Sequence, residues 1–361
     1  MKITTNNENP LISEPLVSII VITYNSAKYV SETLESAKSQ TYKNIEIIVS
    51  DDFSTDNTVE VCKIWLQENK AWFRKTELIT VEKNTGIPGN CNRGVKSAEG
   101  TWIKIIAGDD MLLENCIQSN IDFINNNSNA LIVHSDSNIY ANDFNNGSFL
   151  RKRSSTLYGF YDQYCLKDDI KFYQKLSLAN GNLKSSLAKI FNHDKIEANE
   201  QNRILLRYNF VNSPTIFVNK NLLNEFRGFD ESIPFIEDLP MWLRITQAGI
   251  KIHYLNTTTV NYRKHGNSIT GEYIANTIFN HYYLKLRLIN VKYIFQNISP
   301  IEVFFLNLEY YRLILLSKLG LNRQNMINRF IYKLTYIPSS FFDKIVLTYI
   351  QKQIYNKLTT R

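Results

Sequence analysis

Two adjacent carboxylates, Asp109 and Asp110, follow the apolar run 102–107 across Gly108. A short apolar run closed by glycine reads as a buried strand of a parallel sheet. Open α/β sheets bind ligands just outside the carboxyl ends of such strands. Paired acids at that place suit a hard divalent cation, which takes oxygen ligands and bridges phosphates. Gly-Asp-Asp is equally ordinary turn chemistry, so the neighbouring strands must decide. Two of them also end in polar groups: Thr23-Tyr24-Asn25 after the run 16–22, and Asp51-Asp52 after the run 45–50. Three polar strand ends on one sheet edge favour a ligand site over three unrelated turns.

The elements that would position these groups alternate along the chain. Strands are expected at 16–25, 45–50, 78–81 and up to Asp109, with helices over 26–40, 58–68 and 92–98 between them. Ser26 could cap the first helix and Ser54 or Asp56 the second, while 84–90 reads as a turn-rich loop. This β-α-β-α-β-α-β order predicts a doubly wound α/β sheet. Neither the Gly-x-Gly-x-x-Gly cradle of dinucleotide enzymes nor a Gly-Lys-Ser/Thr loop follows the first strand. That absence also argues against a nucleotidyltransferase-like enzyme, which needs a glycine-rich loop with a basic residue there. The remaining alternative to an enzyme is a non-catalytic binding protein of the same fold, which would require the acids to be misplaced.

Composition narrows the class. A hydrophobic share of 44% supports a sizeable core. The cysteines Cys62, Cys91, Cys116 and Cys165 lack metal-ligand spacing and read as reduced, buried thiols of a cytosolic protein. Residues 1–14 read as a polar leader, without a secretory signal core, and no window is long and apolar enough for a spanning helix. The net charge of +7 sits in the tail: residues 271–361 carry twelve Lys and Arg against four acids.

The stretches V-S-I-I-V-I-T-Y-N-S, I-E-I-I-V-S-D-D-F-S-T-D, N-T-G-I-P-G-N-C-N-R-G and A-E-G-T-W-I-K-I-I-A-G-D-D follow one another over the first third of the chain. In this order and spacing they resemble the donor half of a family 2 glycosyltransferase with the GT-A fold. The resemblance implies a mixed, doubly wound sheet flanked by helices over 15–270, with a nucleotide-sugar half at 15–110 and an acceptor half at 111–270. It implies that Thr23, Tyr24 and Asn25 line a nucleoside pocket, and that Asp51 or Asp52 accepts a hydrogen bond from base or ribose. Asn92 and Arg93 would lie on the sugar side, Arg93 reaching a phosphate or pairing with an acid. Gly108 would border the nucleotide, while Asp109 and Asp110 would hold Mg2+ or Mn2+ on the diphosphate. The sequence departs from the family twice: Phe53 stands where glycine is usual, and Ala107 where a further Asp is common.

Farther on, 111–140 reads as a helix over 112–125 and a strand over 130–136 that ends near His134 and Asp136, which could face an acceptor or simply close the strand. Residues 141–209 are poorly periodic, with helices expected over 166–178 and 183–190. Then come a strand at 214–218, a short helix at 220–226, Gly-Phe-Asp-Glu at 228–231, and Glu237-Asp238 opening a helix that carries Trp242, Leu243 and Ile245. Acids at a helix N-terminus complement its dipole. In the resembled family, however, this is the second motif, with Asp238 as general base of an inverting transfer and Glu237 supporting it. A strand at 251–255 and the segment Tyr262-Arg263-Lys264-His265 follow, resembling the family's closing Tyr-Arg-x-His stretch. There Arg263, Lys264 and His265 are candidates for diphosphate or metal.

The tail, 271–361, reads as helical, aromatic and basic. Such helices fit an anionic membrane surface; a self-packed bundle or a homodimer is the other reading. No nucleic-acid reading motif accompanies the charge. Together with the tail, the family resemblance implies a UDP-sugar donor and a saccharide or lipid-linked saccharide acceptor in bacterial surface-polysaccharide synthesis. The expected location is cytoplasmic, peripheral on the inner face of the membrane.

Overall fold

A computed structural model describes residues 14–153, 196–205, 209–232 and 237–265. The chain to Arg263 is one compact unit; a second begins at Lys264. The helices expected over 166–178 and 183–190, Cys165, and the 271–361 tail lie outside the described residues, as does the leader apart from Glu14.

The first third alternates as expected: β1 (Val17–Thr23), α1 (Val30–Lys38), β2 (Ile45–Asp51), α2 (Thr58–Asn69), β3 (Thr76–Ile79), α3 (Gly86–Ser97) and β4 (Trp102–Ala107). Then come β5 (Met111–Leu112), α4 (Cys116–Asn126), β6 (Ile132–Ala141), β7 (Phe149–Arg153), α5 (Ala198–Leu205), β8 (Phe217–Asn219), α6 (Lys220–Glu225), α7 (Asp238–Gln247) and β9 (His253–Lys264). Among the described residues one sheet runs β3-β2-β1-β4-β8-β6-β9-β5, with β7 on β6. Strands β1 to β4 are parallel, while β8 lies antiparallel to β4.

Alternation along β1 sends its side chains to both faces. Val17, Ile19 and Val21 pack with Val30, Leu34 and Ala37 of α1 and Cys62, Trp65 and Leu66 of α2. Ile20 points the other way, toward α3, where a β-carbon at Gly94 would lie 2.3 Å from its Cγ2. Glycine at 94 is therefore what lets α3 close on that face. Cys62, Cys91 and Cys116 are free and buried, as their spacing suggested.

Several boundaries differ from expectation. The first helix starts at Val30, and Ser26 contributes its carbonyl, not a side-chain cap. Asp56, at the head of α2, accepts the Thr58 N–H at 3.0 Å. The loop expected over 84–90 is the first turn of α3, started by Gly86 at φ +84° and by Pro88, whose missing N–H costs nothing there. The strand expected from Pro214 is a 3-10 turn, Ser213–Thr215, before β8, because proline cannot donate to a ladder. The strand expected at 251–255 starts at His253 and runs on through the Tyr262-Arg263-Lys264 segment as the single strand β9.

Candidate active site

The carboxyl ends of β1, β2 and β4 lie side by side, as the parallel register requires. Gly108 donates to the Ile22 carbonyl at 2.9 Å. A β-carbon there would stand 2.8 Å from Thr23 Cγ2, so only glycine lets the end of β4 approach β1 this closely.

The two acids ending β2 are both buried and committed to the protein. Asp51 accepts the Thr23 hydroxyl at 2.8 Å, the Ser54 N–H at 2.8 Å and the Ser54 hydroxyl at 2.5 Å. Asp52 accepts the N–H groups of Thr85 and Gly86 and the Thr85 hydroxyl, all within 3.1 Å, and an ion pair from Arg93 at 2.7 Å. Asp52 thus anchors the start of α3, and Arg93 takes the acid-pairing role. Asn92 is likewise engaged. It exchanges hydrogen bonds with the Phe229 backbone at 2.8 and 2.9 Å and donates to Glu231 at 2.7 Å. The first helical motif is thereby stitched to Gly-Phe-Asp-Glu, far along the chain.

Tyr24 and Asn25 sit differently. Asn25, at φ +52°, donates its N–H to Ser54 Oγ at 2.8 Å and accepts the Thr55 N–H at 2.8 Å. Tyr24 is 51% exposed. The β1 and β2 turns are therefore one laced unit with an aromatic ring at its rim.

Asp109 is half-buried, whereas Asp110 is 1% exposed. Asp110 Oδ1 accepts the Arg263 N–H at 2.8 Å. Burial, then the adjacent Asp109 charge, push its carboxyl above the ordinary range, against the opposing pull of Arg263. Among the described residues no three acids, histidines or cysteines cluster as a metal cage. Two adjacent carboxylates still fit a cation that takes most of its ligands from a diphosphate and water, as Mg2+ does. The like charges crowded there would be eased by such an ion.

Arg263 does not stand ready for a diphosphate, contrary to the expectation. It is 1% exposed, its guanidinium between the rings of Tyr29 at 4.2 Å and Phe144 at 4.0 Å. Nη2 pairs with Glu32 at 2.9 Å, Nε donates to the Asp109 carbonyl at 2.7 Å, and Nη1 donates to the Asn142 carbonyl. With its donors so engaged, this cation props the acidic turn from behind. Lys264 and His265 belong to the second unit, of which they are the described part.

His134 and Asp136 are fully buried inside β6, not at its end, because the strand continues to Ala141. His134 packs against Phe210 and Tyr254, and Tyr254 donates to Asp136 at 2.8 Å. Both are core groups, not acceptor-facing ones.

Glu237 and Asp238 open α7, where the helix dipole favours carboxylates. Asp238 accepts from Asn209 at 2.6 Å, and Glu237 accepts the Ser213 hydroxyl at 2.9 Å. Register locates this pair. Asn219 pairs with Trp102 and Phe217 with Lys104, so the chain entering β8 lies beside the carboxyl half of β4. Lys104, fully buried in β4, donates to the carbonyls of Pro214 at 2.6 Å and Ile216 at 3.3 Å and so fixes the Ser213 turn. The Glu237 charge also reaches Cys91 on α3, whose thiol is pushed up first by burial and then by that carboxylate. Both acidic spots, 109–110 and 237–238, therefore share the carboxyl edge of the sheet. Glu237 itself is raised to about 7, by burial and then by Asp238.

Lys104, Ser213 and Asn209 escaped the sequence reading. A lysine inside an otherwise apolar strand was the available sign for the first; the other two sit in unpatterned sequence.

Comparisons with known proteins bear on the fold and on what the chain is similar to. Residues 18–176 match the family described as Glycosyl transferase family 2. An uncharacterized glycosyltransferase of Haemophilus influenzae is 26% identical over 260 residues, 72% of this chain and 68% of its own length. Glycosyltransferase GlyG of Streptococcus pneumoniae is 32% identical over 134 residues, 37% of this chain and 42% of its own. Among solved structures, S. aureus TarS 1-349 in complex with UDP-GlcNAc superposes with a TM-score of 0.53 at 18% identity, covering 82% of this chain and 72% of that one. The same protein in complex with UDP gives 0.50 at 17% identity, with 82% and 70% covered. The mixed sheet flanked by helices is thus the GT-A architecture, and residues 18–176 are similar to the Glycosyl transferase family 2 model.

Proposed function

We propose that the protein is an inverting glycosyltransferase that moves a sugar from a UDP-linked donor to a saccharide, lipid-linked in the cell, during bacterial surface-polysaccharide synthesis. The observation that carries this reading is the shared sheet edge. A half-buried carboxylate pair at the head of α7 stands at the same edge as the Gly-Asp-Asp turn, held there by Lys104 and Ser213.

In this reading the laced turns of Thr23, Tyr24 and Asn25 receive the nucleoside. Asp109, with Asp110 behind it, would hold Mg2+ or Mn2+ against the diphosphate, and the ion would offset charge on the departing nucleoside diphosphate. Asp238 takes the proton of an acceptor hydroxyl as its oxygen attacks the anomeric carbon. The bond to the diphosphate oxygen breaks on the opposite face, so configuration inverts. Asn209 orients Asp238. Glu237, raised to about 7 by burial and by Asp238, supports Asp238 from the same helix start.

Transfer and donor hydrolysis with a panel of nucleotide sugars, with and without Mn2+, test the proposal. Turnover of a UDP-sugar is expected; inertness toward every donor would leave a binding protein of the same fold. The basic, aromatic 271–361 stretch supports a membrane-surface acceptor. Full-length protein should float with anionic vesicles and not with neutral ones.

A further inference from the structure

We infer that Phe53 is a donor-binding residue that offers its ring to the base of the nucleoside diphosphate, next to Tyr24. This rests on the donor reading above. Phe53 has φ +71°, a left-handed backbone that a bulky side chain rarely adopts. The conformation is dictated from outside the residue. Asp51 takes both the N–H and the hydroxyl of Ser54, and Ser54 Oγ takes the Asn25 N–H, so the turn closes around position 53 whatever its side chain. Glycine would fit that backbone without strain.

The phenyl ring gives the fold little in return, being 46% exposed. Tyr24, on the adjoining turn, is 51% exposed. Thr23 and Asp51 are register partners, and the Asp52 N–H donates to the Thr23 carbonyl at 3.0 Å, so the two rings leave adjacent parallel strands at one place on the ligand edge. A strained backbone that displays an exposed ring marks a functional position. A planar heterocycle is the ligand chemistry that such rings recognise, through their faces.

Calorimetric titration with UDP, CDP, GDP and ADP, paired with thermal melts, tests this on the full chain, Phe53→Gly and Phe53→Tyr. Loss of one stacking face should weaken nucleotide binding about tenfold in Phe53→Gly. Its melting temperature should hold or rise, since glycine relieves the left-handed strain. Phe53→Tyr should bind close to wild type. Unchanged affinity in Phe53→Gly overturns the inference, as does an affinity loss accompanied by a lower melting temperature, which would mark a merely structural ring. A wild-type chain that binds none of the four nucleotides refutes the donor reading itself and this inference with it.

Discussion

The acids that end β2 and the acids that end β4 and open α7 look alike in sequence, yet the fold treats them oppositely. Asp51 and Asp52 are buried under donors from Thr23, Ser54, Thr85, Gly86 and Arg93. Asp110 is buried like them under the Arg263 N–H, but Asp109, Glu237 and Asp238 stay half-buried at the same sheet edge. A carboxylate surrounded by fixed donors is a structural anchor. One that keeps access to solvent and crowds a like charge is available for ions and protons. The difference separates residues that build the site from residues that can act in it.

Substitutions should divide along the same line. Asp238→Asn carries the largest expected effect: turnover falls about 10²–10⁴-fold, the range of a positioned general base, while UDP affinity by calorimetry stays near wild type. Near-normal turnover would move Asp238 to the anchoring class. Asp52→Ala should instead lose about 3 kcal/mol of stability in urea melts, because Arg93 and the amides at the head of α3 lose their acceptor. A wild-type urea midpoint would mean that the anchor is dispensable.

Asp109→Asn should lower turnover and abolish its response to added Mn2+, with a change in melting temperature that is small beside that of Asp52→Ala. An intact Mn2+ response would take the ion away from this turn. The subtlest effect is one of pH. Glu237 is held at about 7 against an ordinary 4.5, so between these values the folded chain keeps a proton that the unfolded chain has lost. Stability contributed by that proton is complete below about 4.5 and falls as pH rises through about 7. Glu237→Gln should therefore melt like wild type near pH 4 and above it at pH 8. Parallel melting curves across that range would show that Glu237 is not held protonated.

Much of the donor half was legible because parallel strands buried on both faces leave near-continuous apolar runs, and β1, β2 and β4 are such runs. The edge at which their polar ends gather follows from topology alone. The start of α3 was misread because Asn, Thr, Gly and Pro signal turns. Here Asp52 supplies acceptors to the Thr85 and Gly86 amides, and the helix starts among them. His134 and Asp136 were misplaced for a related reason: polar residues ended an apolar run in sequence, while Tyr254 and Phe210 made room for them inside the sheet.

Sequence by itself determined the element order, the sheet class and the set of acids from which any chemistry must be drawn, since these depend on periodicity and on residue type near the strand ends. Tertiary structure alone decided which acids are anchored and which stay open. It also withdrew Arg263 behind Asp109, set Phe53 in a left-handed turn and brought Glu237 to the edge of β4. Each of those outcomes depends on donors, rings or carbonyls supplied by other segments, as when Arg263 meets Glu32 and Asn92 meets Phe229. Local pattern carries no record of such meetings; only the folded path of the chain creates them.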